Sequence, residues 1–334
     1  MGNVVLWKPS DYAVLSNWLV YKILEEAGLP RGVIQFVPAD PTAMTRVCLA
    51  DKMFSGLHFT GSTAVFQKLC KEIYSRQYVN YPRIVGETGG KNYHFVHADA
   101  DVDNVVHQTV RAAFEFQGQK CSACSRLYIP SSLSAEILSK LKETSESILI
   151  GDEMEAFGGP VIHEASYEKI LGYISQAKEE GVQVLCGGTG DRSKGWFIRP
   201  TILLSENLNA TTLCEEIFGP VLTVYVYPDE QLTDMLDHLC DPRKCAYALT
   251  GAIFAKDRTV IHALTLKLTH TAGNFYVNDK CTGAIVGQQP FGGGRASGTN
   301  DKAGSALNLL RWASPRTIKE GSLNLTDYRY PSNL

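Results

Sequence analysis

The stretch VVLWKPSDYAVLSNWLVYKILEEAGLPRGVIQFV, residues 4–37, decides the fold class. Val4 to Trp7 is a short apolar run of strand type, Asp11 to Glu26 reads as a helix, and Gly28 with Pro30 supplies its stop. Val33 to Val37 is the next strand. The rhythm continues downstream: a second helical stretch leads to Leu57-His58-Phe59, a third helix starts at Ser62 with Ser or Thr as its cap, and Arg83-Ile84-Val85 is a fourth strand. Strands alternating with helices predict an α/β protein with a parallel, doubly wound sheet. Both faces of such a sheet must be covered, so helices are expected before the first strand as well as after it, and here none precedes Val4.

After Asn104 the pattern shifts. Val105 to Phe116 predicts a helix, Leu133 to Ile148 an amphipathic helix, and Tyr167 to Glu180 another. Gln183-Val184-Leu185, Val221 to Val226, Leu249 to Phe254 and Gly273 to Val277 read as strands, with a turn at Gly187-Gly188. Phe291-Gly292-Gly293-Gly294-Arg295 is predicted to be loop throughout, Arg316-Thr317-Ile318-Lys319 a short alternating strand, and Ser322 to Leu334 a tail.

A chain of 334 residues with 44% hydrophobic composition can bury a large core, and its length favours two domains over one. The net charge of -3 gives no basic excess to suggest nucleic acid as a partner. No run approaches the roughly 18 consecutive apolar residues of a membrane span. Nine cysteines, scattered and odd in number, read as reduced thiols rather than a disulfide framework. No charged-then-apolar leader precedes the first element.

Chemistry concentrates in Phe116-Gln117-Gly118-Gln119-Lys120-Cys121-Ser122-Ala123-Cys124-Ser125-Arg126. Cys121 stands among small, polar and cationic neighbours; nearby cations favour thiolate, and Gly118, Ser122 and Ala123 leave room for a substrate. On these residues alone the segment serves a Cys-x-x-Cys redox pair, half of a zinc site, or a single covalent nucleophile. Ligands of an open parallel sheet bind beyond the carboxyl ends of its strands. Lys8 and Asp11 follow the first strand and offer a donor and an acceptor suited to a ribose diol, although a lysine there is usually solvated. Gly61-Ser62 opens a helix whose free N–H groups suit a phosphate, or is an ordinary cap. The fingerprint G-x-G-x-x-G is missing. Glu87, before Thr88-Gly89-Gly90, has an uncrowded, mobile backbone suited to a base that swings toward water; the plainer reading is a surface glutamate at a glycine turn.

Four motifs in register carry a resemblance that covers essentially the whole chain: Glu87-Thr88-Gly89-Gly90-Lys91, Gly118-Gln119-Lys120-Cys121, Glu215-Glu216-Ile217-Phe218-Gly219-Pro220 and Pro290-Phe291-Gly292-Gly293. Together they resemble the signature set of the NAD(P)-dependent aldehyde dehydrogenase superfamily. Cys121-Ser122-Ala123-Cys124-Ser125-Arg126, Asn278-Asp279-Lys280, Thr282-Gly283-Ala284, Val286-Gly287-Gln288-Gln289-Pro290-Phe291 and Ala296-Ser297-Gly298-Thr299-Asn300-Asp301-Lys302 are similar to its branch that oxidises glutamate γ-semialdehyde, the open form of 1-pyrroline-5-carboxylate, to glutamate in proline catabolism.

The resemblance implies the aldehyde dehydrogenase fold: a partial NAD-binding domain over residues 1–90, a catalytic domain over 91–312, and an oligomerisation strand with tail over 313–334. Cys121 would be the nucleophile and Glu87 the general base. Lys8, with Asp11 where many members have glutamate, would hold the adenosine ribose. Gly61, Ser62, Thr63, Ala64 and Val65 would open the helix beside the pyrophosphate, and Glu216 would grip the nicotinamide ribose with Phe218 packing nearby. Ser122, Gly283 and Ala284 would anchor the substrate α-carboxylate, and Phe291 would flank its aliphatic part. NAD is the implied cofactor, a small molecule the implied substrate, a homodimer or larger assembly the implied state, and the mitochondrial matrix the implied location. Neither a membrane nor nucleic acid is expected as a partner.

With those roles assigned, the rival readings of Cys121 weaken. A zinc site needs about four ligands and Cys121-x-x-Cys124 has no second pair, while a thioredoxin-like pair would sit at a helix start in a small domain. Cys124 reads as a packing residue, the other seven cysteines as structural or incidental, and His94 and His97, after a glycine turn, as non-metal. The family pattern continues upstream of residue 1, with the first strand of the NAD domain and a Pro-x-Asn-Phe motif whose amide stabilises the oxyanion. Losing one such donor costs about 100- to 1000-fold in turnover, and an uncovered apolar strand is an aggregation liability. The chain expressed alone is therefore expected to turn over weakly or not at all; ordinary turnover by the purified protein, abolished in Cys121→Ala, would overturn that expectation.

Overall fold

The computed structural model describes residues 2–333. Met1 and Leu334, the outermost residues of the expected first domain and tail, lie outside the described residues. The early part of the chain forms β1 (Val5–Trp7), α1 (Val14–Glu26), β2 (Ile34–Phe36), α2 (Pro41–Ala50), β3 (Gly56–Thr60), α3 (Thr63–Tyr74) and β4 (Arg83–Glu87). Local chemistry sets the boundaries. Asp40 caps α2 by accepting the Ala43 N–H at 2.7 Å, with Pro41 in the first turn, where its missing N–H costs nothing. Ser62 caps α3 by accepting the Val65 N–H at 3.4 Å. A single turn of tighter helix, Asp11–Ala13, precedes α1.

β1 pairs in parallel with β2, and β3 in parallel with β4, but the two pairs do not join. The continuous sheet expected here is therefore two short ribbons. Phe36 gathers Trp7, Trp18 and Tyr21 around it with ring centroids 5.2, 5.4 and 5.7 Å away, and this aromatic cluster holds β1, α1 and β2 together. α1 buries no residue fully, and Leu15, Leu19 and Ile23 face outward.

Most of the remaining elements build one seven-stranded sheet and the helices that cover it. They are β5 (Asn92–Val96), α4 (Val102–Phe114), β6 (Cys124–Pro130), α5 (Ser131–Glu146), α6 (Glu164–Glu179), β7 (Gln183–Cys186), β8 (Thr201–Ser205), β9 (Val221–Tyr227), α7 (Leu232–Cys240), β10 (Thr250–Phe254), α8 (Arg258–Lys267) and β11 (Asn274–Val277). The spatial order is β11-β10-β5-β6-β9-β8-β7, parallel throughout except for the antiparallel edge strand β7. Alternation along each strand fills both faces. Leu127 and Ile129 of β6 pack with Phe114, Ile137 and Leu141 of α4 and α5, whereas Tyr128 between them packs with Tyr227, Ile261 and Leu264 on the other side. A third cluster sets Ile170 and Ile174 of α6 against Leu203 and Val221.

Sequence reading and structure part company elsewhere too. β5 and β6, at the centre of the sheet, escape the pattern because Asn92, His94 and Arg126 interrupt their apolar runs; those side chains are buried and hydrogen-bond to partners elsewhere in the chain. The helices carrying the notable segments start earlier than expected, α4 at Val102 and α5 at Ser131. Gly294–Arg295, expected as loop, pairs antiparallel with Tyr247–Ala248. Arg316 to Lys319 is irregular: it has no strand to pair with among the described residues, and an unpaired strand gives up its backbone hydrogen bonds to water.

Stability should follow this division. Ile129→Ala, fully buried in the central strand, is expected to cost about 3 kcal/mol in urea unfolding. The same truncation at Ile23 on the open face of α1 should change stability by about 0.5 kcal/mol or less.

Candidate active site

Asn92, the first residue of β5, organises the site. Its Nδ2 donates to the Cys121 carbonyl at 2.7 Å and to the Ala123 carbonyl at 2.8 Å, while its Oδ1 accepts the Thr250 N–H at 3.0 Å. One buried carboxamide thus fixes the backbone on both sides of Ser122. The chain passing from Glu87 to Asn92 runs hard against that segment: a Cβ on Gly90 would stand 2.2 Å from the Cys121 carbonyl oxygen, and one on Gly89 would stand 2.5 Å from a Glu216 carboxylate oxygen. Gly90 N–H donates to Glu216 Oε1 at 2.8 Å. The two glycines therefore serve close approach, not the mobility read from the sequence.

The approach to Cys121 is bent. Phe116, Gln117 and Gly118 follow α4 with φ of 55°, 57° and 63°, a left-handed run that costs about 1 kcal/mol or more at each of the two side-chain-bearing residues. Gly118 lets the Gly219 carbonyl in, 2.3 Å from where a Cβ would be, so the Glu216–Gly219 segment abuts the Cys121 segment.

Charge at the sulfur departs from the sequence expectation. Lys120 pairs with Glu115 instead of supporting a thiolate. Burial, then the carboxylates of Glu216 and Glu87, push the Cys121 thiol up to about 11. Glu87 ends β4 as a buried residue, not a surface glutamate, and neither carboxylate oxygen has a hydrogen-bond partner. Burial pushes its carboxyl up to about 7, Lys302 drawing it down and Asp301 adding to the rise. Thr88 secures this corner, its N–H donating to Ser297 O at 2.9 Å and its hydroxyl to Ala296 O at 2.7 Å. Lys302 Nζ donates to the carbonyls of Gly273 and Gly292 at 2.7 and 3.0 Å.

At the expected carboxylate end, Ser122 Oγ lies 2.6 Å from Thr282 Oγ1, a partner to which the sequence reading gave no role. Gly283 follows with φ of 87°, then Ala284, partly buried. Phe291 is partly buried, its N–H donating to Ala303 O at 2.9 Å. At the expected cofactor end, Thr63 Oγ1 accepts the Gly89 N–H at 3.3 Å and donates to Ala296 O at 3.1 Å; the Gly61 N–H reaches Glu87 O at 3.2 Å. Ala64 and Val65 are exposed in the first turn of α3, beside its cap Ser62. Phe218 is exposed with φ of 59°. Lys8 and Asp11 pair with each other at 3.1 Å. Hydrogen bonds and close packing therefore tie Gly61, Thr63, Glu87, Cys121, Ser122 and Glu216 into one place. The sequence signal for Asn92 was its position directly after Gly90-Lys91.

The aldehyde dehydrogenase family pattern matches residues 1–318, and the chain belongs to that family. It is 53% identical over 338 residues to the Dictyostelium discoideum protein described as delta-1-pyrroline-5-carboxylate dehydrogenase, mitochondrial, covering 99% of this chain and 60% of the relative. The human protein of the same description is 48% identical, with 99% and 59% covered. A crystal structure of the delta-pyrroline-5-carboxylate dehydrogenase of Mycobacterium tuberculosis bound with NAD superposes with a TM-score of 0.92 at 46% identity, covering 100% of this chain and 62% of that one. The chain thus spans about 60% of the length of these relatives.

The buried carboxylates make a testable statement about the thiol. Cys121 should alkylate slowly with iodoacetamide at pH 7.5 and faster as pH rises toward 11. Removing a negative neighbour favours thiolate, so Glu87→Gln should speed alkylation at fixed pH.

Proposed function

We propose that this chain carries the nucleophile, base and substrate anchor for NAD-dependent oxidation of glutamate γ-semialdehyde to glutamate. The observation that carries the proposal is the buried, unpartnered Glu87 carboxylate sharing a corner with Cys121. Likeness to relatives described as delta-1-pyrroline-5-carboxylate dehydrogenase supports the choice of substrate.

The chemistry is stepwise. Cys121 sulfur adds to the aldehyde carbon, its thiol proton passes to solvent, and the C=O π bond breaks to leave the oxygen on a tetrahedral adduct. The C=O bond re-forms as hydride leaves that carbon, giving the thioester; a bound NAD would supply the hydride acceptor. Glu87, ionised above about pH 7, then takes a proton from water, whose oxygen attacks the thioester carbon; the C–S bond breaks, glutamate leaves and Cys121 is restored. A carboxyl poised near neutrality is suited to accept and release that proton in turn.

Ser122, Gly283 and Ala284 form the α-carboxylate anchor in this reading, with Thr282 holding the Ser122 hydroxyl and Phe291 beside the aliphatic part. The residues fit NAD. Residues Gly61 to Val65 offer first-turn N–H groups at the exposed start of α3, where partial positive charge favours a pyrophosphate. Glu216, with Oε1 engaged by Gly90, would hold the nicotinamide ribose with Phe218 nearby, and Lys8 with Asp11 would hold the adenosine ribose. Residues 1–90 are the partial NAD-binding domain, 91–312 the catalytic domain and 313–334 the assembly arm of a homodimer or larger oligomer. The naming of several relatives as mitochondrial supports the matrix as the location.

A second reading, a non-catalytic subunit of the same family, draws on the separate β1–β2 and β3–β4 ribbons and the open face of α1. Calorimetry with NAD and NADH absorbance with glutamate γ-semialdehyde, against succinate semialdehyde as a control, distinguish the two. The enzyme reading expects NAD binding and NADH formation, however slow, that vanishes in Cys121→Ala; in Glu87→Gln a single burst without steady turnover is expected. NADH formation that persists in Cys121→Ala would sink it, whereas absent NAD binding with co-purification of a longer relative favours the second reading.

A further inference from the structure

Behind the Cys121 corner, a ring nitrogen of His94, Cys124 Sγ and Cys281 Sγ all lie within 4.8 Å of one another, and the three residues are no more than 1% exposed. They come from the middle of β5, the first position of β6 and the loop after β11, so no local spacing in the sequence shows them together. The imidazole is already engaged on both nitrogens: Nε2 accepts the Cys281 N–H at 3.2 Å, and Nδ1 faces Thr109 Oγ1 at 2.9 Å. A metal ion would have to displace the first of these bonds, which leaves the two sulfurs as the reactive part of the group. Both are reduced thiols, Cys124 Sγ donating toward Arg126 O at 3.4 Å and Cys281 Sγ toward Ser122 O at 3.5 Å.

Their places in the chain matter. Cys124 lies three residues after Cys121, and Cys281 directly precedes Thr282, whose hydroxyl meets Ser122. A bond between the sulfurs would therefore cross the same seam as the Ser122–Thr282 contact. We propose that Cys124 and Cys281 are an oxidative modification site that closes to a reversible disulfide when the protein meets a small peroxide, tying the nucleophile segment to the loop that carries Thr282, Gly283 and Ala284.

The electrons balance with the peroxide as oxidant. Cys281 sulfur attacks one peroxide oxygen, the O–O bond breaks, an S–O bond forms, and the departing hydroxide leaves as water with the thiol proton. Cys124 sulfur then attacks the Cys281 sulfur, the S–S bond forms, the S–O bond breaks, and the second oxygen leaves as water. The two thiols are oxidised by two electrons in all, and the peroxide is reduced to two waters. A dithiol reductant reverses the bond by exchange. The order of attack follows from the surroundings. Burial raises the Cys124 thiol, and the neighbouring Cys281 raises it further. At Cys281 burial acts in the same direction but is outweighed by the neighbouring Cys124 and His94, so its thiol is lowered. The S–S bond needs the two sulfurs, now within 4.8 Å of each other, to close to about 2.05 Å.

The inference stands whether or not the chain oxidises an aldehyde, and its test needs no turnover. The full chain is treated with hydrogen peroxide, unfolded, alkylated and digested without reductant. The expected result is a Cys124–Cys281 linked peptide two hydrogens lighter than its separate parts, two thiols lost from the nine, and recovery of both with dithiothreitol. Cys281→Ser should abolish that peptide; the wild-type map stands alone should the variant fold poorly. Free alkylation of Cys124 and Cys281 after peroxide, or a Cys121–Cys124 link in place of the expected one, would overturn the proposal. So would a zinc or copper ion that co-purifies on these sulfurs and is released by a chelator.

Discussion

A single carboxamide spanning three strands sets the terms for everything around Cys121. Asn92 donates twice to the Cys121 segment and accepts once from β10, so the Cys121 and Ala123 carbonyls are held at the edge of the central sheet by a group with no freedom left to lose. Two bare glycines then let the neighbouring backbone come within contact of the same segment. Hydrogen bonding fixes where the sulfur's backbone is, and the missing side chains fix how near its neighbours can come. Each would fail without the other, because a buried amide deprived of its carbonyl partners costs about 1–3 kcal/mol.

The electrostatics follow from that packing. Burial pushes both the Cys121 thiol and the Glu87 carboxyl toward their neutral forms, with Glu216 and Glu87 adding to the rise at Cys121 and Asp301 adding to the rise at Glu87. Cys121 therefore rests as a thiol. Reactivity has to come from whatever offsets those charges, and Lys302, which draws the Glu87 carboxyl down, is the cation felt there.

Much of this was legible in the sequence, and the legible part was local. The strand and helix rhythm of residues 4–37, the Ser62 cap and the motifs around Glu87, Cys121 and Glu216 all depend on neighbours within a few residues. What escaped depends on distant partners. β5 and β6 are interrupted by polar residues whose hydrogen-bond partners are far along the chain, so apolar periodicity could not show them. Lys120, the cation beside Cys121 in sequence, is spent on Glu115, and the glycines after Glu87 had the right identity for a different reason. Thr282 stood inside a recognised motif without a role because its partner, Ser122, is 160 residues away.

The corner that holds Glu87 draws on an even longer span. Gly86 exchanges hydrogen bonds with Thr299, and Thr88 is fastened to Ala296 and Ser297, more than 200 residues later. Translation from the amino end delivers Glu87 long before its clamp. Until residues near 300 emerge, the carboxylate has no fixed corner and Cys121 is neither buried nor flanked by carboxylates, so the thiol of the nascent chain ionises more readily than that of the finished fold. The arrangement of Glu87 beside Cys121 exists only once the far part of the chain has been made.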